Sequence, residues 1–126
     1  MMIQKRKARW RNIVGSVKTG RYQSLWEIKM YIKQTSEYVK WFDKLKDERA
    51  QAKIAIRLRR IQETDNLGDW KSLKDGIGEL RIDYGPGYRI YFAKRGLDII
   101  LLLAGGDKSS QEADIAKAKK INESNP

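Results

Sequence analysis

Residues 26–33 alternate along the chain: Trp26, Ile28, Met30 and Ile32 are interleaved with Glu27, Lys29, Tyr31 and Lys33. A period of two sends successive side chains to opposite faces, so this stretch predicts a half-buried β-strand. The period then changes. Tyr38, Trp41, Phe42 and Leu45 recur at i, i+3, i+4 and i+7, one face of a helix that Thr35 or Ser36 can cap. Lys46-Asp47 predicts a break, and Ala50, Ile54, Leu58 and Ile61 form the apolar stripe of a second helix ending about Thr64. Residues 65–75 read as a loop with Asn66 and Gly68 as breakers, pinned to the core by Trp70 and Leu73.

Residues 79–92 predict a β-hairpin around Gly85-Pro86-Gly87. With those three residues as the loop, Tyr84 faces Tyr88, Ile82 faces Ile90 and Leu80 faces Phe92 on one apolar side. The polar side then pairs Arg81 with Tyr91 and Asp83 with Arg89; a slip of one residue would destroy this sorting. Residues 97–103 are nearly all apolar, which suits a strand buried on both faces. Gly105-Gly106 reads as a strand-to-helix turn. Ser109 and Glu112 then form a capping box for a last helix docked by Ala113, Ala116 and Ile121. The order β-α-α-β-β-β-α predicts an α+β fold. It is an antiparallel meander with the first strand added at an edge and a helical hairpin packed on one face. The opposite face, carrying Arg81, Asp83, Arg89 and Tyr91, is expected to lie open for a ligand.

Composition narrows the chemistry. The 126 residues are expected to divide into a basic, flexible arm over 1–24 and a single domain over 25–126. The chain has no Cys, which excludes disulfides and thiolate metal sites. It also has no His, the commonest general acid–base and metal ligand. No metal or cofactor is expected. The longest strongly apolar run falls far short of the ~20 residues of a membrane helix, and no secretory signal is evident; the expectation is a cytoplasmic protein without a membrane partner. The net charge of +11 is unevenly spread, because Lys5, Arg6, Lys7, Arg9, Arg11, Lys18 and Arg21 fall in an arm that has no acid. Such an arm suits contact with a polyanion. It equally suits a dispensable extension, and its composition also fits a transit peptide. The outer face of the second helix bears Arg49, Lys53, Arg57, Arg59 and Arg60, either a solvated face or a nucleic-acid or partner contact.

Three separated stretches carry a resemblance. They are Trp41-Phe42-Asp43-Lys44-Leu45-Lys46-Asp47, the hairpin, and Gly105-Gly106-Asp107-Lys108-Ser109-Ser110-Gln111. In this order they resemble toxins of the RelE/ParE superfamily, in particular the HigB-like "addiction module killer" branch with its phage-encoded relatives. The resemblance spans about residues 26–120 and leaves out the basic arm. It implies a type II toxin neutralised by a small antitoxin, often a helix-turn-helix, HigA-like protein. RelE- and HigB-like members cut mRNA in the ribosome without a metal; ParE-like members poison DNA gyrase. A non-toxic RNA-binding relative is a third reading.

Carried over residue by residue, the resemblance matches Arg89 to the arginine that contacts the scissile phosphate. Lys108 matches the basic residue after the last strand, and Arg81 lies on the strand where relatives carry a cation. Cleavage by 2′-OH attack needs a base, cations for the phosphorane and an acid for the 5′-oxygen. Arg89 and Arg81 suit the charge, Asp83 or Glu79 the base, and Tyr91 or Lys108 the acid. Acid work by Tyr or Lys near neutrality favours a pKa lowered from about 10, a direction in which neighbouring arginines push. RNA contacts are expected from Lys71, Lys74, Arg57 and Arg60, with Tyr31 and Tyr91 as base-stacking platforms. Without a catalytic role, Arg81, Asp83, Arg89 and Tyr91 would be ordinary cross-strand pairs on a solvent face.

Overall fold

Ala50, Ile54, Leu58 and Ile61, the apolar stripe of the second helical stretch, are all buried. In the computed structural model, which describes residues 28–126, they lie on α2 (Glu48–Thr64). The break before it is a cap: Asp47 Oδ1 accepts from the backbone N–H of Arg49 at 3.0 Å and of Ala50 at 3.2 Å. The preceding helix α1 (Ser36–Asp43) is capped by Thr35, whose hydroxyl oxygen accepts from Tyr38 N and donates to the Leu103 carbonyl at 3.0 Å. Tyr38 is buried, and Trp41, Phe42 and Leu45 pack beside it against the core.

Five strands form one sheet in the order β1-β5-β4-β3-β2. They are β1 (Tyr31–Gln34), β2 (Trp70–Ser72), β3 (Ile77–Ile82), β4 (Tyr88–Arg95) and β5 (Ile99–Asp107). The first strand is at an edge as its pattern suggested, and it pairs with β5 in parallel. It starts at Tyr31, with Ile32 buried and Met30 buried just before it. The expected arm over 1–24 and the strand's first positions, Trp26 and Glu27, lie outside the described residues.

β2 is a correction. The expected loop contains a short edge strand paired with β3, and all three of its residues are exposed, so no alternation betrayed it. Trp70 is accordingly 43% exposed and only leans on Phe92, with ring centroids 5.9 Å apart.

The hairpin register is also corrected, by two residues. Ile82 pairs with Tyr88, Arg81 with Arg89, Leu80 with Ile90 and Glu79 with Tyr91, leaving residues 83–87 as the turn. Gly85 and Gly87 adopt φ of 57° and 82°, a left-handed region that a side chain disfavours. A shift of two preserves which residues share a face, so the hydrophobic sorting could not distinguish the two registers. Asp83 therefore sits exposed in the turn and not across from Arg89.

One sheet face packs Leu80, Ile82, Ile90, Phe92, Ile100 and Leu102 against α1 and α2. The other is not open as expected. Helix α3 (Gln111–Ser124) lies on it, docking Ala118 and Ile121, with Ile115 beside them, onto Ile77, Tyr91, Ala93, Leu103 and Ala104. Ala113 and Ala116 are exposed instead. The β4–β5 ladder shifts register between Tyr91 and Phe92, opposite Ala104 and Leu102. This places an extra residue, Leu103, in β5, and lets two consecutive side chains, Leu103 and Ala104, reach the α3 side. Gly105 and Gly106 lie within β5 and not in a turn. A Cβ on Gly105 would enter the Trp41 ring, and one on Gly106 would enter the Asp114 carboxylate. The cap ahead of α3 differs too. Asp107 accepts from Ser109 N at 2.8 Å at the start of a 3-10 turn (Lys108–Ser110), and Ser110 makes no capping bond.

Candidate functional site

Antiparallel pairing places Arg81 of β3 directly across from Arg89 of β4, both on the α3 side of the sheet beyond the end of the buried cluster. Arg81 is fixed at its Nε–H, which donates to Glu79 Oε1 at 3.2 Å. Glu79 is wholly buried; its other oxygen accepts from Gln111 Nε2 at 2.7 Å. The first residue of α3 is thereby tied to β3. The backbone of Arg81 is held as well: its N–H donates to the Asp69 carbonyl at 2.9 Å and its carbonyl accepts from Arg57 Nη1 at 2.8 Å.

Arg89 is held differently. Its Nη1 donates to the Tyr88 carbonyl at 3.2 Å, while its Nε is buried with no hydrogen-bond partner among the described residues. A Cβ placed on Gly87 would lie 3.6 Å from Lys108 Cβ and 3.8 Å from Arg89 Nη1. The bare glycine backbone therefore lies close to both the stem of Lys108 and the guanidinium of Arg89. Across β4, Gly106 faces Arg89, with Asp114 over it; Ser110 Oγ donates to Asp114 Oδ2 at 2.5 Å. Among the described residues, neither Arg89 nor Lys108 forms an ion pair within 4.0 Å. The arrangement is a cationic corner, Arg81, Arg89 and Lys108, that suits a phosphate group.

Two ionisations bear on it. Burial first, then the charges of Glu79 and Asp114, push the Tyr91 hydroxyl above the ordinary tyrosine range, and the opposing pull of Arg89 is smaller. This corrects the expected downward shift. Tyr91 is also wholly buried, which takes its ring away from any stacking surface. Asp107 is held below the usual carboxylate range by the Ser109 hydroxyl and then the Ser109 backbone N–H.

A family model for the phage-derived protein Gp49-like family (DUF891) matches residues 40–124. The chain belongs to this family. Gp49-like proteins are RelE/ParE-like toxins, and such toxins have an antitoxin partner. An uncharacterized protein of Haemophilus influenzae is 51% identical over 90 residues, 71% of this chain and 90% of its own length. A double mutant of the E. coli toxin RelE in the free state superposes with a TM-score of 0.60 at 14% identity, over 74% of this chain and 97% of that one. This shared fold is the mixed α+β arrangement described above.

The other sequence-derived positions of this Gp49-like protein are dispersed. Lys71 is exposed opposite Glu79, on the same face as Arg81, and forms a rim to the corner. Lys74 lies farther along, next to Asp75, which pairs with Lys119 of α3 at 3.1 Å. Arg60 is exposed on α2, across the sheet. Arg57 does not face solvent as expected. Its guanidinium is a clamp that donates to the carbonyls of Leu67, Asp69 and Arg81. Tyr31, on the far edge strand, pairs with Ile99 at the opposite end of β5 from Gly106. Sequence reasoning missed Gln111 and Asp114 as neighbours of the corner. The signal was present: Gln111, Asp114, Ile115, Ala118 and Ile121 recur at helical spacing and form the docked side of α3.

Proposed function

We propose that this Gp49-like toxin is the toxin of a type II toxin–antitoxin pair, a ribosome-dependent endoribonuclease that cuts mRNA without a metal and is neutralised by a helix-turn-helix antitoxin. The observation that supports the reading is the pairing of Arg81 with Arg89 across the ladder, with the stem of Lys108 and the Arg89 guanidinium both close to Gly87 and, among the described residues, neither Arg89 nor Lys108 in an ion pair.

In this reading the scissile phosphate sits in the cationic corner. Attack of the 2′-oxygen builds negative charge on the phosphorane oxygens, and fixed guanidinium donors stabilise that charge more than the ground state. Arg89 and Arg81 supply planar forks, and Lys108 supplies a mobile ammonium that can also protonate the departing 5′-oxygen. Glu79 has both oxygens engaged by Arg81 and Gln111, which disfavours it as the base. Asp83, exposed in the adjoining turn, is the carboxylate left to accept the 2′ proton. Alignment of the nucleophile by the ribosome supplies rate through orientation.

Induced expression with transcript-end mapping tests the reading. Cuts inside translated frames, lost with Arg89→Ala, are the expected result. Intact transcripts with a DNA-damage response would overturn it in favour of gyrase as the target.

A further inference from the structure

We infer that Glu79 is a positioning residue that aims the Arg81 guanidinium, with Gln111 as its latch from α3; the inference rests on the phosphate-binding reading of the corner. Arg81 and Glu79 are two apart on β3, so both project from one face of the sheet. The carboxylate takes Nε–H, the donor nearest the stem. The Nη1 and Nη2 ends, with four N–H donors between them, hold no partner among the described residues, and the side chain is 35% exposed. Holding Arg81 at Nε thus leaves the fork of this part-exposed side chain unengaged, as a bidentate phosphate contact requires.

A wholly buried carboxylate survives only if both its oxygens are satisfied. Here one is taken by Arg81 and the other by Gln111. Gln111 is the first residue of α3, so the orientation of the fork depends on how the start of that helix is seated on the sheet. Glu79 also lies between two cations, with Lys71 opposite it on β2 and Arg81 beside it. It lowers the repulsion between Arg81 and the facing Arg89 without itself reaching Arg89. Its role is to place a catalytic cation and not to touch RNA.

The test uses the full chain and two readouts. The first is the Nε–Hε signal of Arg81 in 15N-labelled protein. In the wild type this proton is expected to be shifted and slow to exchange with water; Gln111→Ala and Glu79→Gln are expected to move it and speed its exchange while the backbone amide spectrum stays folded. The second is transcript cleavage in a double-mutant cycle. Glu79→Gln and Arg81→Ala are each expected to lower cleavage by about tenfold or more, the scale of one charge-assisted hydrogen bond. The double variant is expected to be no worse than Arg81→Ala alone. An Arg81 signal unchanged in Gln111→Ala, or a Glu79→Gln loss that adds fully to the Arg81→Ala loss, overturns the inference. If Glu79→Gln does not fold, Gln111→Ala and the Arg81 signal decide it. If the wild type cuts no transcript, the nuclease reading fails, while the signal still reports whether Glu79 and Gln111 aim the fork.

Discussion

Arg81 and Arg89 face one another across the β3–β4 ladder, where sheets ordinarily place opposite charges or apolar pairs. Among the described residues, only Arg81 of the two has a carboxylate partner, Glu79. The fold thus tolerates a cross-strand repulsion, as functional surfaces do when a charge is kept for an incoming group.

Replacing Arg89 should separate activity from stability. Arg89→Ala removes a repulsive partner and a buried Nε that has no acceptor. Folding stability should stay level or rise by a few tenths to about 1 kcal/mol, measured by urea unfolding. Transcript cleavage should fall by about a hundredfold or more. A variant that still cuts like wild type would falsify the site assignment.

Gly105→Ala should destabilise by about 1–3 kcal/mol through overpacking. The added methyl has no room, because the Trp41 ring lies on the glycine and is backed in turn by Tyr38 and Tyr88. Chemical denaturation of Gly105→Ala alone, and combined with Trp41→Leu, checks this. The loss should be smaller on the Leu background, where the flat ring is gone.

The Arg57 clamp makes a sharper demand on shape than on charge. One guanidinium serves the carbonyls of Leu67, Asp69 and Arg81. Arg57→Ala should cost about 2–3 kcal/mol, a charged hydrogen-bond loss at partly buried acceptors. Arg57→Lys should recover little, since one ammonium cannot span three acceptors held by a planar fork. Melting temperatures of the two variants should lie close together and well below wild type.

Alkaline pH should weaken the fold. Burial and the Glu79 charge hold the Tyr91 hydroxyl in its neutral form above the ordinary range, and burial does the same for Tyr38. Unfolded tyrosines ionise near ~10. The folded state therefore keeps its advantage below that pH and loses it as pH rises beyond, because only the unfolded chain gains by releasing the proton. Unfolding free energy followed from about pH 8 to 11 should fall less steeply in Tyr91→Phe than in wild type. Equal slopes would exclude Tyr91 as a source of the loss.

Much of the architecture was legible, and the failures have identifiable causes. The α2 stripe at Ala50, Ile54, Leu58 and Ile61 reads directly, because a helix facing a sheet needs one apolar side and four such positions fix it. The hairpin's faces were legible but its register was not. Period two cannot detect a shift by two, and the conformations of Gly85 and Gly87 decide between a three- and a five-residue turn. β2 has no buried residue and left no pattern. In the site, Arg81 and Arg89 sorted onto one face from sequence. Their direct opposition, the burial of Tyr91 beneath α3 and the diversion of Arg57 into a clamp depend on register and docking, which no local pattern encodes. The stem of Lys108 comes near Gly87 and Arg89 because β5 returns beside β4, a tertiary fact.

The hydrogen bond from Thr35 to Leu103 spans 68 residues and joins the cap of α1 to β5. Chains emerge from the ribosome at about 5–20 residues per second, so this closure waits roughly 3–14 s after Thr35 is made. In that interval α1 and α2 carry their apolar stripes with no complete sheet beneath them. β1 pairs with residues 99–102 of β5, whereas β4 needs β5 as far as Asp107, and Lys108 is the residue that follows it. Closure of the sheet and completion of the cationic corner are therefore separated by only a few residues of synthesis.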